Sequence, residues 1–305
     1  MKSITEKMLE LISDWKGTPK GAYNIREDSG CAGRQSTDAV QITSKDDKPG
    51  INIIVSPNVK GETVYIPACI THSDVDDLVY NDFFIGENAD VTIVAGCGVH
   101  TDGEEESQHN GIHRFYLAKG AKVLYLEKHI GLGKGTGRRI INPQTYAELA
   151  EDSYMEMDTT QIKGVDSTKR DTKALLKAGA KMIIKEKIMT DGIQTAETNF
   201  EVDLNGEDCG VHLVSRSVAK GHSRQVFRSI INGNTRCTGH SECDAIIMDN
   251  GHVSAIPELT AHNVDAGLIH EAAIGKIAGE QITKLMTLGL TEKEAEAKII
   301  EGFLK

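Results

Sequence analysis

Three separated segments of this chain share one lead-in, a glycine-anchored turn that runs directly into a short apolar strand: Gly86-Glu-Asn-Ala-Asp-Val-Thr-Ile-Val94, Gly120-Ala-Lys-Val-Leu-Tyr-Leu126 and Gly179-Ala-Lys-Met-Ile-Ile184. Turn-then-strand units that recur at uneven intervals are the mark of stacked coils. A strand this short cannot cover its own apolar face, so neighbouring coils must stack and share one continuous core. From about Ala22 to Leu268 the texture agrees, with short runs such as Ile51 to Val55 and Val123 to Leu126 separated by glycines and charges. Long helices between strands are missing, which argues against a doubly wound α/β fold. Tyr146 to Met157 reads as a short helix or a loop excursion, and a sandwich of antiparallel strands is the alternative architecture.

The two ends have a different period. Ile4, Met8, Leu11, Ile12 and Trp15 recur at helical spacing before a Gly17-Thr-Pro19 break. Near the other end, Ile274, Ile277, Ile282, Leu285 and Met286 fit one face of a helix that stops at Gly289, and Thr291 with Glu294 forms a capping box opening a second helix. The division expected is therefore 1–20 for an N-terminal helix, 21–268 for the β core and 269–305 for a helical segment, whose apolar stripe would cap the core or dock a partner.

A net charge of −11 disfavours nucleic acid and anionic membrane as partners, because phosphate affinity comes from clustered Lys and Arg. No apolar run approaches the length of a membrane span, and Glu6, Glu10 and Asp14 stand where a signal peptide would be apolar, so a cytoplasmic location is expected. Six cysteines, at 31, 69, 97, 209, 237 and 243, are then free thiols.

Candidate ligands crowd the stretch from Cys209 to Glu271, among them His212, His222, Cys237, His240, Cys243, Asp244, His252, His262 and His270. No Cys-x-x-Cys occurs, so neither a closed zinc site nor a ferredoxin-type cluster is indicated; thiolate with sparse imidazole and carboxylate suits a loosely held cluster. A second group, Cys97, His100, His109 and His113, brackets Glu104-Glu-Glu106 and reads as a solvated loop between two strands, with a metal set conceivable. The run Gly131-Leu-Gly-Lys-Gly-Thr-Gly137 lacks the Walker spacing, so any ATP chemistry must reside in another protein.

The stretches Gly221-His-Ser-Arg224, Cys237-Thr-Gly-His-Ser-Glu-Cys-Asp244, His270-Glu-Ala-Ala-Ile-Gly-Lys276, Glu280-Gln281 and Gly289-Leu-Thr-Glu-Lys-Glu-Ala295 closely resemble the C-terminal core of the SufB/SufD family of iron–sulfur cluster assembly proteins. Ala22-Tyr-Asn-Ile-Arg-Glu-Asp28 and Gly111-Ile-His-Arg-Phe-Tyr116 resemble its short members, so the likeness runs over nearly the whole chain. The resemblance implies a right-handed parallel β-helix whose C-terminal helices dock a SufC-like ABC ATPase. It implies a scaffold, with no catalysis of its own, that assembles a transient iron–sulfur cluster from a sulfur donor and passes it to apo-protein acceptors. The family's assembly cysteine falls on Cys243, its glutamate on Glu271, and the histidine contributed by SufD-like partners on His270, so a homodimer could supply both halves of a site. The chain is much shorter than typical SufB and lacks its extra N-terminal cysteine motif, which favours a complex with SufC alone. Rival functions are an adaptor of the ATPase without a cluster and, since β-helices also host them, a polysaccharide-active enzyme, which 5% aromatic content and one Trp disfavour.

Overall fold

The structure, a computed structural model, describes residues 3–15 and 21–305, so the expected Gly17-Thr-Pro19 break lies outside the described residues. Chain order begins with α1 (Ser3–Ser13), β1 (Ala22–Glu27), β2 (Gly30–Gln35), β3 (Val40–Ser44), β4 (Gly50–Val55), β5 (Lys60–Ile70), β6 (Asp76–Ile85), β7 (Asp90–His100) and β8 (Ser107–Leu117). It continues through β9 (Lys122–Leu132), β10 (Arg139–Ile141), β11 (Gln144–Leu149), β12 (Tyr154–Lys163), β13 (Ser167–Leu176), β14 (Lys181–Thr190), β15 (Thr195–Leu204) and β16 (Gly210–Ala219). The last elements are β17 (Arg224–Gly233), β18 (Cys237–Ile247), β19 (His252–Ala261), β20 (Ala266–Gly275), α2 (Gly279–Met286) and α3 (Glu292–Phe303).

Successive strands alternate between two ten-stranded sheets. One runs β2-β1-β5-β7-β9-β12-β14-β16-β18-β20, the other β19-β17-β15-β13-β10-β8-β6-β4-β3, with β11 prolonging the β10 rung. Every described pairing is parallel except β1 with β2 and β3 with β4, two reversals that close the N-terminal end. The fold is thus the expected parallel β-helix. The uneven repeat has a simple origin: Asp90 pairs with Lys122 and Lys122 with Tyr154, 32 residues per coil, whereas Lys181 pairs with Gly210 and Gly210 with Thr238, 28 or 29 per coil.

Within each strand, side chains alternate between the interior and the outer surface, and the inward set, for example Val123 and Tyr125 or Met182 and Ile184, forms one continuous core. Turns between coils need a left-handed residue. Gly120 (φ 65°) and Gly179 (φ 67°) supply it in two coils, while Asn88, Asp152 and Asp208 take the same conformation in others. Tyr146 to Met157, read above as helix or loop excursion, is strand: Tyr146 lies on β11 between Arg114 and Lys173, and a turn at Glu151-Asp152 leads into β12. Its polar outward residues mask the period-2 inward set Thr145, Ala147 and Leu149.

Helix α1 lies on the outer face of the first sheet, where Met8, Leu9 and Ile12 bury against Ile25 and Cys69. Two outward glycines make the seat. A Cβ on Gly96 would fall 2.7 Å from Ile12 Cβ, and one on Gly98 would fall 2.7 Å from Met8 Sδ. Gly96→Leu should therefore lift α1, costing about 1–3 kcal/mol as overpacking does. Hydrogen exchange confined to α1 and a lowered melting temperature would report it, with Gly275→Ala, whose Cβ would meet nothing within 4 Å, as the unperturbed control.

Candidate functional site

Strand register decides which candidate residues can meet. On β18 the inward positions are Cys237, Gly239, Ser241, Cys243 and Ala245; on β20 the partners of the last three are His270, Ala272 and Ile274. Cys243 and His270 therefore share the interior face, one coil apart. Glu271 faces out, beside Glu242, with its Oε2 3.7 Å from His240 Nε2, and its side chain is 66% exposed. Period-2 alternation, which the adjacency of His270 and Glu271 in sequence hides, puts them on opposite faces. Among the described residues no three His, Cys, Asp or Glu side chains are arranged to hold a metal ion together.

Cys243 is 1% exposed, and burial, with the charges of Glu186 and Asp244, pushes its thiol up to about 12. It sits directly under the last coil, and that coil is open. Its inward residues Ala272 and Ile274 are exposed, His270 is half-buried with an unpartnered Nδ1, and β19 and β20 are the terminal strands of their sheets. The thiol is therefore one rung from an uncapped end.

Glu186, Ser215 and Cys243 are consecutive inward rungs on β14, β16 and β18, and Ser215 Oγ donates to Glu186 Oε2 at 2.8 Å. Two coils back in the same row is Glu127, and Arg170 crosses from the opposite sheet, its Nη2 2.7 Å from Glu127 Oε2 and its Nε 3.8 Å from Glu186 Oε1. Burial works to raise Glu127, but Arg170 and His129 outweigh it and hold the carboxyl well below its ordinary value; at Glu186 burial wins and the carboxyl is raised. At the N-terminal end, Asp77 takes a bidentate bond from Arg26 and one from His109 Nδ1 at 2.9 Å, and these outweigh burial to lower its carboxyl. Buried ionisable and hydroxyl groups thus line the inside of the solenoid from the first coils to Cys243, with Glu127, Glu186, Ser215 and Cys243 in one row. No motif marks Asp77, Glu127, Arg170 or Glu186 in the sequence; the signal they do carry is parity, since Val123, Tyr125, Glu127 and His129 all occupy inward positions of one strand.

Cys97, His109 and His113 are not in a solvated loop. All three are buried inward residues of β7 and β8, and only the Glu104 to Glu106 run is loop. Strand propensity carries the chain through them because their polar atoms find partners inside. His100 ends β7 facing outward. The expected C-terminal helix starts later than its apolar stripe: Ile274 is on β20, Ile277 lies in the connection, and Ile282, Leu285 and Met286 are on α2. The capping box is present, with Thr291 Oγ1 accepting from the Glu294 amide and Glu294 Oε2 accepting from the Thr291 amide.

Residues 79–303 match the family described as SUF system FeS cluster assembly, SufBD core domain. The chain is 28% identical over 250 residues to an iron–sulfur cluster assembly SufBD family protein of Methanothermobacter thermautotrophicus, covering 80% of this chain and 59% of that relative's length. A protein of the same description from Archaeoglobus fulgidus is 28% identical over 272 residues, covering 88% of this chain and 72% of its own. One from Methanocaldococcus jannaschii is 26% identical over 317 residues, covering 99% of both.

Proposed function

Because this chain belongs to the SufBD family of iron–sulfur cluster assembly proteins, we propose that it is a scaffold that builds a transient cluster at Cys243 and hands it to apo-proteins, driven by a separate SufC-like ABC ATPase. The observation that carries the reading is the position of Cys243, an inward thiol one rung from the open end, with His270 beside it on the same face. Thiolate and imidazole are the protein ligands that iron in clusters takes, and so small a set holds its cargo loosely enough to release it. The cluster is cargo, received as sulfur from a donor protein and delivered to acceptors in the cytoplasm; in this reading Glu271, which lies on the outer face beside His240, handles iron at the rim.

A second copy of the chain completes the site. Terminal strands β19 and β20 have one unpaired edge each, and the mouth between them, lined by Val253, Ala255 and Leu259, is apolar; two copies meeting there about a two-fold axis would bring both Cys243 and His270 pairs to one interface. Val253→Asp should shift the dimer to monomer in analytical ultracentrifugation; a variant as dimeric as the parent would remove this interface. Helix α2 has no buried residue, and Met286 and Leu288 are 45% and 76% exposed, an apolar surface fit for the ATPase subunit. Met286→Asp should abolish co-purification with the ATPase.

The direct test is anaerobic reconstitution of the purified chain with iron and sulfide, read by visible absorption and Mössbauer spectra, followed by transfer to an apo-acceptor. A labile, transferable cluster supports the scaffold. No cluster, even with the ATPase present, would leave the adaptor.

A further inference from the structure

The interior of the first coils encloses a cavity of about 40 Å³, lined among others by Asn81, Cys97, His109 and His113. Its two imidazoles have their tautomers fixed. A carboxylate only accepts, so His109 Nδ1, 2.9 Å from Asp77 Oδ2, carries a proton. Tyr125 donates its hydroxyl proton to Glu127 Oε1 at 2.9 Å, so its oxygen accepts from His113 Nδ1 at 2.9 Å. With Nδ1 carrying the proton, Nε2 is the atom of each ring left to offer a lone pair to a metal, and the two Nε2 atoms flank one gap: the point where Gly111 would carry a Cβ is 3.2 Å from His109 Nε2 and 3.4 Å from His113 Nε2. Histidines whose Nδ1 is committed to a carboxylate, directly or through a hydroxyl, while Nε2 faces a gap have the arrangement of metal ligands with their supporting shell.

Asn81 completes the set. Its amide nitrogen is 3.3 Å from His113 Nε2, while its Oδ1 is buried without a partner. Turning the amide by 180° exchanges the two atoms and places an oxygen beside that lone pair, an arrangement that a cation between them stabilises.

We propose that His109 Nε2, His113 Nε2 and Asn81 Oδ1 hold a divalent first-row transition-metal ion over Gly111, its remaining positions filled by water of the cavity. Two nitrogens and a neutral oxygen suit Fe²⁺, Co²⁺ or Zn²⁺ over Ca²⁺ or Mg²⁺. Only two of these donors are His, Cys, Asp or Glu, which is consistent with the lack of a three-residue set of those types. Access is from the cap, where exposed Cys31 lines the same cavity; Arg26 there is neutralised by Asp77, and Arg34 is held by Asn24 and Ser44. That the natural occupant is ferrous iron rests on the assembly reading above; the site itself does not.

The probe is Co²⁺, added anaerobically to the full chain at equilibrium, with its ligand-field absorption and binding stoichiometry as readouts, and Fe²⁺ Mössbauer spectra in parallel. One ion per chain is expected in the parent and in Cys243→Ser alike. Gly111→Ala, which fills the gap, should abolish binding, and Tyr125→Phe, which removes the support of His113, should weaken it about 10–100-fold. Should Gly111→Ala fail to fold, Asn81→Asp decides, since an anionic oxygen in that place should tighten binding at least about tenfold. No Co²⁺ in the parent, or binding lost in Cys243→Ser but kept in Gly111→Ala, overturns this site without touching the scaffold reading. Failure of cluster assembly with Co²⁺ binding intact overturns the scaffold and leaves this site standing.

Discussion

Cys243→Ser should abolish cluster formation on anaerobic reconstitution while leaving the melting temperature within a few degrees of the parent. The oxygen is a poor ligand for iron where the thiolate is a good one, and no other cysteine stands on the same rung row at the open end: Cys237 is six residues earlier on β18, and Cys209 precedes β16. The fold tolerates the change because a serine there faces Ser215, whose hydroxyl can share a hydrogen bond, so the cost of the buried hydroxyl stays near the low end of about 1–3 kcal/mol. Visible absorption after reconstitution reads the first half and thermal unfolding the second. A cluster of normal yield in this variant would remove Cys243 from the mechanism. Since the thiol stands at about 12 in the folded chain, ligation must expel a proton, and cluster yield in the parent should rise with pH across the neutral range.

Arg170→Met should destabilise the chain by about 3–5 kcal/mol, because it strips the counter-charge from two buried carboxylates at once. That corresponds to a fall in melting temperature on the order of 10 °C. Adding Glu127→Gln should recover part of the loss, since the pair are then no longer charge and orphan. The acid limb of stability separates the contributions. Asp77 and Glu127 are held low in the folded state, so their stabilisation is complete above the unfolded carboxylate range near 4 and is lost as pH falls below it. His113 is held down at about 4 by burial, so stability already begins to fall near the unfolded value of about 6.5, where only the unfolded chain takes up a proton. Glu186, raised, works in the opposite sense and partly offsets the loss. In Arg170→Met, Glu127 keeps Tyr125 and His129 but loses its guanidinium, so its carboxyl should move upward and the deficit relative to the parent should narrow from pH 7 to pH 5. Chemical denaturation at several pH values measures all of this; a deficit constant with pH would show that packing, not charge, holds Arg170.

Stacked coils were legible because the glycine lead-ins at 120 and 179 are real left-handed turns, and the repeat looked sparse only because Asn88, Asp152 and Asp208 do the same work with other side chains. Both ends were legible from helical spacing, although Ile274 shows that an apolar residue fits a helical stripe and a strand parity equally well when the boundary is unmarked. Cys243, His270 and Glu271 were named by motif, but a motif carries order along the chain and not the face each side chain takes; only the register separates Glu271 from the other two. Strand parity marks the interior charges as inward, but their pairing was hidden for a different reason. Asp77 meets Arg26 and His109, and Arg170 meets Glu127 and Glu186, across stretches of sequence that no motif links, and only the closing of two sheets over one axis makes each group neighbours.

The reversed pairs β1–β2 and β3–β4 seal one end of the solenoid while β19 and β20 leave the other unsealed, and with the proposed dimer this polarity would tie the chain's robustness to its abundance. In the proposed dimer the last rung would be finished by another copy and gain free energy by mass action, so the melting temperature should climb with protein concentration. Dilution should loosen the terminal coil first, the very rung that covers Cys243. Scarcity of the protein would then become exposure of the thiol.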